Sequence, residues 1–243
     1  MISKVTLLSG TVQLMPFNAH KYKLIMLSSF LTVVVNLAGS DFPNWQDQSS
    51  FQTDLRAAAR VTNIPNPGNT DYYLGLQASL ASIRLDRDES ATVPSARLSI
   101  YPNPGYNLWA QFAQWPGDYP AFSVATGVQV EFPADQRSIR QAIGLGWSEV
   151  IGKAYTQRDI SVYALYGRSQ ETFNYGLMAI VDMHHVLVEN GNGIPDYDKT
   201  NYLALPYISW LFLDQSRVSL YLPIDANGLA LDLSCEWLLG SRE

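Results

Sequence analysis

Residues 122–132 read FSVATGVQVEF, and the order of residue types in this stretch decides the fold class. The even-numbered positions from Phe122 to Phe132 carry apolar side chains or Thr126, whereas the odd-numbered positions carry small or polar ones and include Glu131. Successive side chains of a β-strand point to opposite faces. This period of two therefore predicts a strand with one apolar face and an aromatic ring at each end of that face.

The same alternation recurs along the chain after residue 71, with turn residues between the alternating segments. Short alternating segments separated by turns are typical of all-β sandwiches and barrels. The ten strands that this pattern predicts are residues 72–84, 95–101, 107–115, 122–132, 140–150, 159–167, 173–185, 202–213, 217–224 and 228–239. No long amphipathic helix is predicted in this part of the chain.

The alternation alone does not say which face of the strands lies outside. In a soluble barrel the apolar face points inward, whereas a membrane barrel has apolar side chains outside and polar ones inside. The less apolar face here consists mainly of Gly, Ala, Ser and isolated charges, and residues 41–243 contain only two lysines, Lys153 and Lys199. A face exposed to water usually carries more charged side chains. This composition favours the membrane arrangement.

Two further features favour the membrane arrangement. Phe122 and Phe132 lie ten residues apart, which at about 3.3 Å per residue and a tilt near 40° separates them by about 25 Å along the membrane normal. That distance matches the apolar band between the aromatic girdles of membrane barrels. The odd-numbered predicted connections are also mostly longer than the even-numbered ones, as expected for outer loops that alternate with short periplasmic turns.

Together these patterns resemble the outer-membrane β-barrel proteins of Gram-negative bacteria, over roughly residues 72–239. The resemblance implies an all-β fold: a single antiparallel up-and-down transmembrane β-barrel of about ten strands, within a range of about eight to twelve. It also implies a porin-like monomer in the bacterial outer membrane that contacts outer-membrane lipid. Two features depart from the family. LLGSRE follows Trp237, where such barrels often end on an aromatic residue, and Pro206 interrupts the eighth strand, which implies a bulge or weak pairing.

Two sets of strand residues are assigned to opposite faces on this basis. The predicted lipid-facing residues are Phe122, Val128, Val130, Phe132, Trp147, Leu231 and Trp237. The predicted lumen-lining residues are Arg97, Gln129, Glu131, Asp182, Asp232 and Glu236. Because an unpaired buried charge is costly, the charges of the lumen are expected to pair, by default with Arg97 or another arginine. A barrel of so few strands is largely filled by side chains, so a sealed or very narrow lumen is expected.

Three segments are predicted along the chain. Residues 1–40 are predicted to be a cleaved signal peptide with an over-long start, because Lys21 and Lys23 precede an apolar run that ends in the small residues Ala38, Gly39 and Ser40. Residues 41–71 are predicted to be a periplasmic lead-in or a short helix, with a plug in the barrel as the alternative. Residues 72–243 are predicted to form the barrel.

The charge balance and the cysteine content exclude several functions. The whole chain has a net charge of −6, and because residues 1–40 hold three lysines and no acidic residue, residues 41–243 have a net charge of −9. Such a chain lacks the basic stripe that nucleic-acid binding requires. The single cysteine, Cys235, cannot form an internal disulfide. Neither a glycine-rich phosphate cradle nor a Cys/His cluster with metal spacing is found in the sequence, so no cofactor is expected.

Asp182, His184 and His185 at the end of the seventh strand are the only candidates for catalysis, and none is assigned a catalytic role. Asp182 and His184 share one face, two residues apart, so a hydrogen bond between them is feasible. A barrel enzyme that transfers or hydrolyses acyl groups needs a histidine oriented by a carboxylate beside a serine. The sequence does not identify that serine. A histidine pair that packs with loop residues at the rim is the favoured interpretation.

The loop VENGNGIPDYDK, residues 188–199, resembles aspartate-rich calcium loops. Its oxygen donors at alternating positions around a glycine are the ligands that a hard cation needs. The calcium candidates are Asn190, Asn192, Asp196 and Asp198. Val188 and Lys199 stand where carboxylates are expected, so an ordinary turn is favoured and no metal site is assigned.

The sequence therefore predicts an outer-membrane barrel with a structural role or a passive role as a narrow pore, more consistent with a non-enzymatic protein than with an enzyme. It does not identify a solute. Two alternatives stay open. One is an outer-membrane lipid-modifying enzyme that uses His184 or His185. The other is a soluble periplasmic lipocalin-like barrel that carries a ligand in an apolar interior.

Overall fold

The computed structural model describes residues 6–7, 10–11, 71–84, 90–115, 121–132, 138–152, 155–170, 172–188, 196–212, 215–226 and 228–241. The chain divides into two compact units, residues 1–37 and 38–243. In the first unit the described residues form a small antiparallel ladder between Thr6–Leu7 and Gly10–Thr11. The predicted signal peptide and the predicted lead-in with its helix or plug lie almost entirely outside the described residues.

The described residues of the second unit form antiparallel strands that account for most of residues 72–241. In chain order they are β1 Tyr72–Arg84, β2 Ser90–Ile100, β3 Tyr106–Trp115, β4 Ala121–Phe132, β5 Ile139–Gly152, β6 Tyr155–Gln170, β7 Phe173–Val188, β8 Tyr197–Phe212, β9 Ser216–Tyr221 and β10 Gly228–Ser241. A two-residue strand, Ile224–Asp225, continues the line of β9 after a short interruption.

The sheet is a closed barrel. Each strand pairs antiparallel with the next one in the chain, and β10 pairs back with β1, for example through Ser234 and Ser79. Closure leaves none of these ten strands as an open edge, which satisfies the backbone hydrogen-bonding groups of the whole sheet. The predicted all-β fold, a single antiparallel up-and-down barrel of ten strands, is confirmed.

The ladder registers fix the offset of the sheet where it closes. Phe212 of β8 is the cross-strand partner of Ser216 in β9. If one follows cross-strand partners from Ser216 around the barrel, through β10 and then β1 to β7, the path returns to β8 at Thr200. The offset between Phe212 and Thr200 is twelve residues. With about 3.3 Å per residue and about 4.8 Å between strands, this offset tilts the strands by about 40° from the barrel axis.

The apolar side chains point outward. In β4 the exposed fraction is 39% for Phe122 and 40% for Val124, against 1% for both Ser123 and Ala125. Exposed large apolar side chains occur on all ten strands, and buried polar side chains alternate with them. The outer face of the barrel is therefore apolar, and its inner face combines polar and charged side chains with apolar ones such as Leu165, Met178 and Leu205. We call the end of the barrel where β1 begins the first rim, and the end where β1 finishes the second rim.

Two prolines bear on the predicted weakness of the eighth strand. Pro206 keeps its place in the ladder opposite Leu177 of β7, and its carbonyl accepts a hydrogen bond of 3.0 Å from Leu222 N. On its other side Pro206 lies beside Leu222, and the ladder between β8 and β9 is interrupted there, at Leu222 and Pro223, with the same register before and after. The pairing is thus weakened on this side of Pro206, as one of the two predicted alternatives. The predicted bulge is absent because equal numbers of residues separate the flanking partners.

The predicted alternation of long and short connections is wrong. The stretches between strands at the second rim are residues 85–89, 116–120, 153–154, 189–196 and 226–227, and those at the first rim are residues 101–105, 133–138, 171–172 and 213–215. The two sets overlap in length. The prediction failed mainly because β2 begins at Ser90 rather than Ser95, which shortens the first connection, and because Pro94 stays within the ladder opposite Leu80.

Candidate functional site: the packed lumen

Large aromatic side chains cross the inner face and lie over glycines of other strands. The Trp109 ring lies over Gly127, where an added Cβ would stand 2.5 Å from a ring atom. Tyr163 lies over Gly144 in the same way, and Tyr207 lies over Gly167 and Gly176. Glycine is needed at these positions because any larger residue would overlap a ring or the neighbouring backbone. The small residues of the inner face therefore provide space for aromatic rings rather than an open channel.

Arg97 occupies the middle of the lumen and is 4% exposed. Its guanidinium lies 4.6 Å from the centre of the Trp109 ring, and its Nε donates a hydrogen bond of 3.2 Å to Gln111 Oε1. Arginine is well suited to this environment because its planar cation stacks on aromatic faces and is weakly hydrated. Arg97 was expected to pair with carboxylates. Its described contacts are instead with the ring of Trp109 and the side-chain amide of Gln111.

Two ion pairs lie in the half of the lumen nearer the first rim. Arg217 Nη1 lies 3.2 Å from Glu236 Oε2, and the Tyr101 hydroxyl donates a hydrogen bond of 3.0 Å to Glu236 Oε1. Glu131 forms the second pair, with Arg140 of the neighbouring strand β5. The expected pairing of lumen carboxylates with arginine holds for these two residues, although their partners are arginines that the sequence analysis did not name.

A second polar cluster lies nearer the second rim. The Nδ1 atom of His184 is 2.6 Å from Asp159 Oδ1, and the pair is buried. Ser148 Oγ donates a hydrogen bond of 3.0 Å to Asp159 Oδ2, and Gln157 Nε2 donates one of 2.8 Å to Asp159 Oδ1. The carboxylate thus holds the imidazole in one orientation while two neutral donors stabilise the carboxylate.

The partner of His184 differs from the predicted one. Asp182 lies on the same inner face two residues away, but the ladder places Asp159 of β6 directly opposite His184. Asp159 forms the hydrogen bond because a directly opposed cross-strand pair is closer than two residues at positions i and i+2 of one strand. Asp182 is itself buried, and its Oδ1 atom has no hydrogen-bonding partner among the described residues.

In the described contacts around the two histidines, no serine hydroxyl is hydrogen-bonded to a histidine, and the hydroxyl of Ser148 is bonded to Asp159. His184 Nε2 has no hydrogen-bonding partner in the part of the chain that the structure describes, so no serine hydroxyl is placed there. His185 points to the outer face, where its Nδ1 lies 2.6 Å from Asp198 Oδ1. The His184–Asp159 pair can exchange a proton at Nε2, but the described residues do not supply the third member of an acyl-transfer triad.

The calcium candidates are not brought together as a described site. Asn190 and Asn192 lie outside the described residues. Asp196 is exposed just before β8, and Asp198 is bonded to His185 on the outer face of that strand. The described residues contain no group of three or more His, Cys, Asp or Glu side chains that could hold a metal ion.

The structure places the two predicted sets of residues on opposite faces. The six residues predicted to line the lumen have inward positions, and all of them except Glu131, which lies near the first rim, are buried. The seven residues predicted to face lipid have outward positions. Phe122, Phe132, Trp147 and Leu231 are exposed, whereas Val128, Val130 and Trp237 are half-buried between outer-face neighbours.

Several residues that line the lumen were not predicted from the sequence. They are the ionic residues Arg140, Asp159 and Arg217 and the aromatic residues Tyr101, Trp109, Tyr163, Tyr207 and Tyr221. The alternation of inward and outward positions along each strand could have identified most of them. Tyr163 lies on the inner face of β6 together with Asp159, and Trp109 lies on the inner face of β3 together with Gln111.

No protein-family model matches the chain, and a search of curated proteins finds no match. Among the residues described by the structure, no helix is long and apolar enough to cross a membrane. The class of the protein is therefore defined by its architecture alone: a closed ten-stranded antiparallel β-barrel with an apolar outer face and a charged, packed lumen.

Replacing His184 with alanine should lower the free energy of unfolding by about 1–3 kcal/mol, because it removes the imidazole hydrogen bond to the buried Asp159 carboxylate and leaves that carboxylate with only the neutral donors Ser148 and Gln157. His185→Ala is a matched control, since that histidine forms a bond of the same length on the exposed face. Its cost should be below about 1 kcal/mol. Denaturant unfolding of both variants measures the difference, and equal losses would contradict the assigned burial of the His184–Asp159 pair.

Proposed function

We propose that this chain is a membrane-spanning β-barrel of the outer-membrane class with a structural role, and that its own side chains close its lumen. The observation that carries the proposal is the exposure of large apolar side chains on the outer face of all ten strands, with charged side chains buried inside. Soluble monomers rarely expose continuous apolar patches larger than a few hundred Å². Lipid contact gives such a surface a favourable environment.

The distribution of residues on the outer face supports a membrane band. Near the first rim the outer face carries the exposed aromatic residues Tyr106, Phe132, Tyr166, Tyr175 and Trp210, each within four residues of the end of its strand. Aromatic belts of this kind lie at the interface between hydrocarbon and water in membrane barrels. Among the outer-face side chains that the structure describes, charges lie close to the rims: Arg168 at the first, and Glu149, Arg158 and Asp198 towards the second.

The inner face supports this proposal over a soluble carrier of apolar ligands. Such a carrier needs an interior lined mainly by apolar side chains. Here the interior holds Arg97, Arg217, Asp182, Asp232 and Glu236, all at most 4% exposed. An apolar ligand would have to displace ion pairs and hydrogen bonds from these groups without replacing them, which is unfavourable.

The packing of the lumen supports a structural role over a pore. Gln129 and Ser148 have no solvent-exposed surface, and Tyr221 in the middle of the lumen is 1% exposed. Trp109 and Tyr163 project across the same region against Gly127 and Gly144. With about ten strands, side chains from opposite walls meet and leave little free cross-section.

Membrane extraction tests the proposal. After expression of residues 1–243 in a Gram-negative host, the chain should remain with outer membranes through a carbonate wash and require detergent for release. The folded form should also migrate faster than the heated form on a denaturing gel. A chain that is soluble without detergent would overturn the membrane assignment. Steady conductance in planar bilayers would overturn the closed lumen while leaving the membrane assignment intact.

A further inference from the structure

The buried pair of His184 and Asp159 lies at the edge of the apolar band of the barrel. The two residues are cross-strand partners, and so are their outward-facing neighbours His185 and Arg158. Arg158 is exposed on the outer face, whereas Ile160, the next outward position of β6 towards the middle of the barrel, is apolar. The pair therefore lies inside the wall at the level where the apolar band ends, outside the part that hydrocarbon would surround.

Three charged groups face the imidazole of His184 among the described residues. Asp159 of β6 and Lys199 of β8 are its cross-strand partners, and Asp182 lies two positions away on the inner face of β7. Asp159 is 1% exposed and Asp182 is 2% exposed. The cluster thus has one negative charge in excess when His184 is neutral, and none when the imidazole carries a proton. Because an unpaired buried charge is costly, the protonated form is favoured.

The hydrogen bonds of the cluster allow His184 to take up that proton. Its Nδ1 lies 2.6 Å from Asp159 Oδ1 and donates to this carboxylate, whereas its Nε2 has no hydrogen-bonding partner among the described residues. A proton that Nε2 takes from water makes the hydrogen bond to Asp159 a charge-assisted ion pair. Burial alone lowers the pKa of His184, but its hydrogen bond to Asp159 and the charges of Asp159 and Asp182 raise it above the ordinary value, against a smaller effect of Lys199.

We propose that His184 carries a proton in the folded barrel and is a proton-dependent latch between the inner faces of β6 and β7. With the proton, the imidazole and Lys199 together balance the charges of Asp159 and Asp182. Without it, one buried carboxylate is left in excess, so a rise in pH destabilises this part of the lumen. The inference rests on the proposed closed lumen, because the packed interior must shield the cluster from water.

The pH dependence of unfolding in phosphatidylcholine vesicles tests the proposal. The equilibrium constant for unfolding should increase about tenfold from pH 6 to pH 9, as linkage predicts for a proton that binds about ten times more tightly to the folded chain. His184→Gln should abolish most of this increase, because glutamine can still donate to Asp159 but does not titrate. His185→Gln is the matched control and should retain the increase, since His185 forms a bond of the same length to Asp198 on the exposed face.

Nitrogen-15 NMR of the histidine-labelled full chain in the same vesicles measures the protonation state directly. The chain has three histidines, so comparison with the His184→Gln spectrum identifies the signals of this ring. At pH 7 we expect the signals of an imidazolium, with both ring nitrogens protonated. A neutral His184 ring at pH 7 would overturn the proposal.

The variants also separate failure of this inference from failure of the proposed function. Faster migration before heating is scored first and shows that each variant is folded. An equal increase with pH in His184→Gln and the unchanged chain would overturn the latch alone. If His184→Gln does not fold, Asp182→Asn replaces it: removing one carboxylate should reduce the increase, and an undiminished increase would also overturn the latch. Conductance at pH 6 would instead overturn the closed lumen, and solubility without detergent the membrane proposal.

Discussion

Leu145→Arg should lower the free energy of unfolding in phosphatidylcholine vesicles by about 2–4 kcal/mol, the range expected for arginine on the lipid face near the middle of a bilayer. Leu145 lies on the outer face near the middle of β5 and is 50% exposed, so the replacement meets no steric obstacle in the barrel itself. The cost comes from placing a strongly hydrated cation in hydrocarbon. Equilibrium unfolding in urea, followed by tryptophan fluorescence, measures it.

Gln141→Arg is the matched control for this variant. Gln141 is also exposed on the outer face of β5, but it lies near the first rim, where arginine can reach water. Its cost should be about 0–1 kcal/mol. Similar small changes for both variants would mean that Leu145 contacts water, and the membrane proposal would then fail.

Arg217→Met should destabilise the barrel by about 3–5 kcal/mol, because it leaves the Glu236 carboxylate buried without its cation. Glu236 is 2% exposed, and the Tyr101 hydroxyl that donates a hydrogen bond to its Oε1 is neutral. Methionine fills part of the space of the arginine, so the loss reflects mainly the charge. The same unfolding measurement applies, in vesicles that contain no anionic lipid.

Two further variants test the cause of that loss. Arg158→Met breaks the partly exposed pair with Glu149 and should cost only about 0–1 kcal/mol. The double variant Arg217→Met/Glu236→Gln should recover much of the stability lost in Arg217→Met, because the side chain that lost its cation is then neutral. A double variant no more stable than the single one would show that packing of the arginine, and not its pairing with Glu236, holds this part of the lumen.

The central part of each strand could be predicted from the sequence, and so could both ends of β1 and the first residues of β7 and β10, whereas several other strand ends could not. The predicted range 122–132 differs from β4 by one residue, because apolar outer-face residues continue to both ends of that strand. β6 and β8 are longer than predicted, beginning at Tyr155 and Tyr197. Near the second rim their outer faces carry Arg158 and Asp198, so the apolar alternation stops before the strand does.

The composition of the lumen was more predictable than its contacts. The alternation of inward and outward positions is enough to place Asp182, His184 and Glu236 on the inner face. The contacts depend on register, which brings His184 opposite Asp159 and which a period of two does not specify. Arg140 and Arg217 stand near strand starts, where charge is expected at a rim, yet both side chains reach inward to carboxylates.

The twelve-residue offset at which the sheet closes has a consequence for the evolution of the chain. Together with ten strands it fixes a backbone radius of roughly 10 Å, which leaves space for about one layer of side chains from each wall. A larger side chain at position 163 therefore requires a smaller one on the opposite wall of the barrel, because the ring of Tyr163 already fills the space over Gly144. We expect accepted substitutions inside the cylinder to occur as compensating pairs, whereas those on its outer surface occur independently.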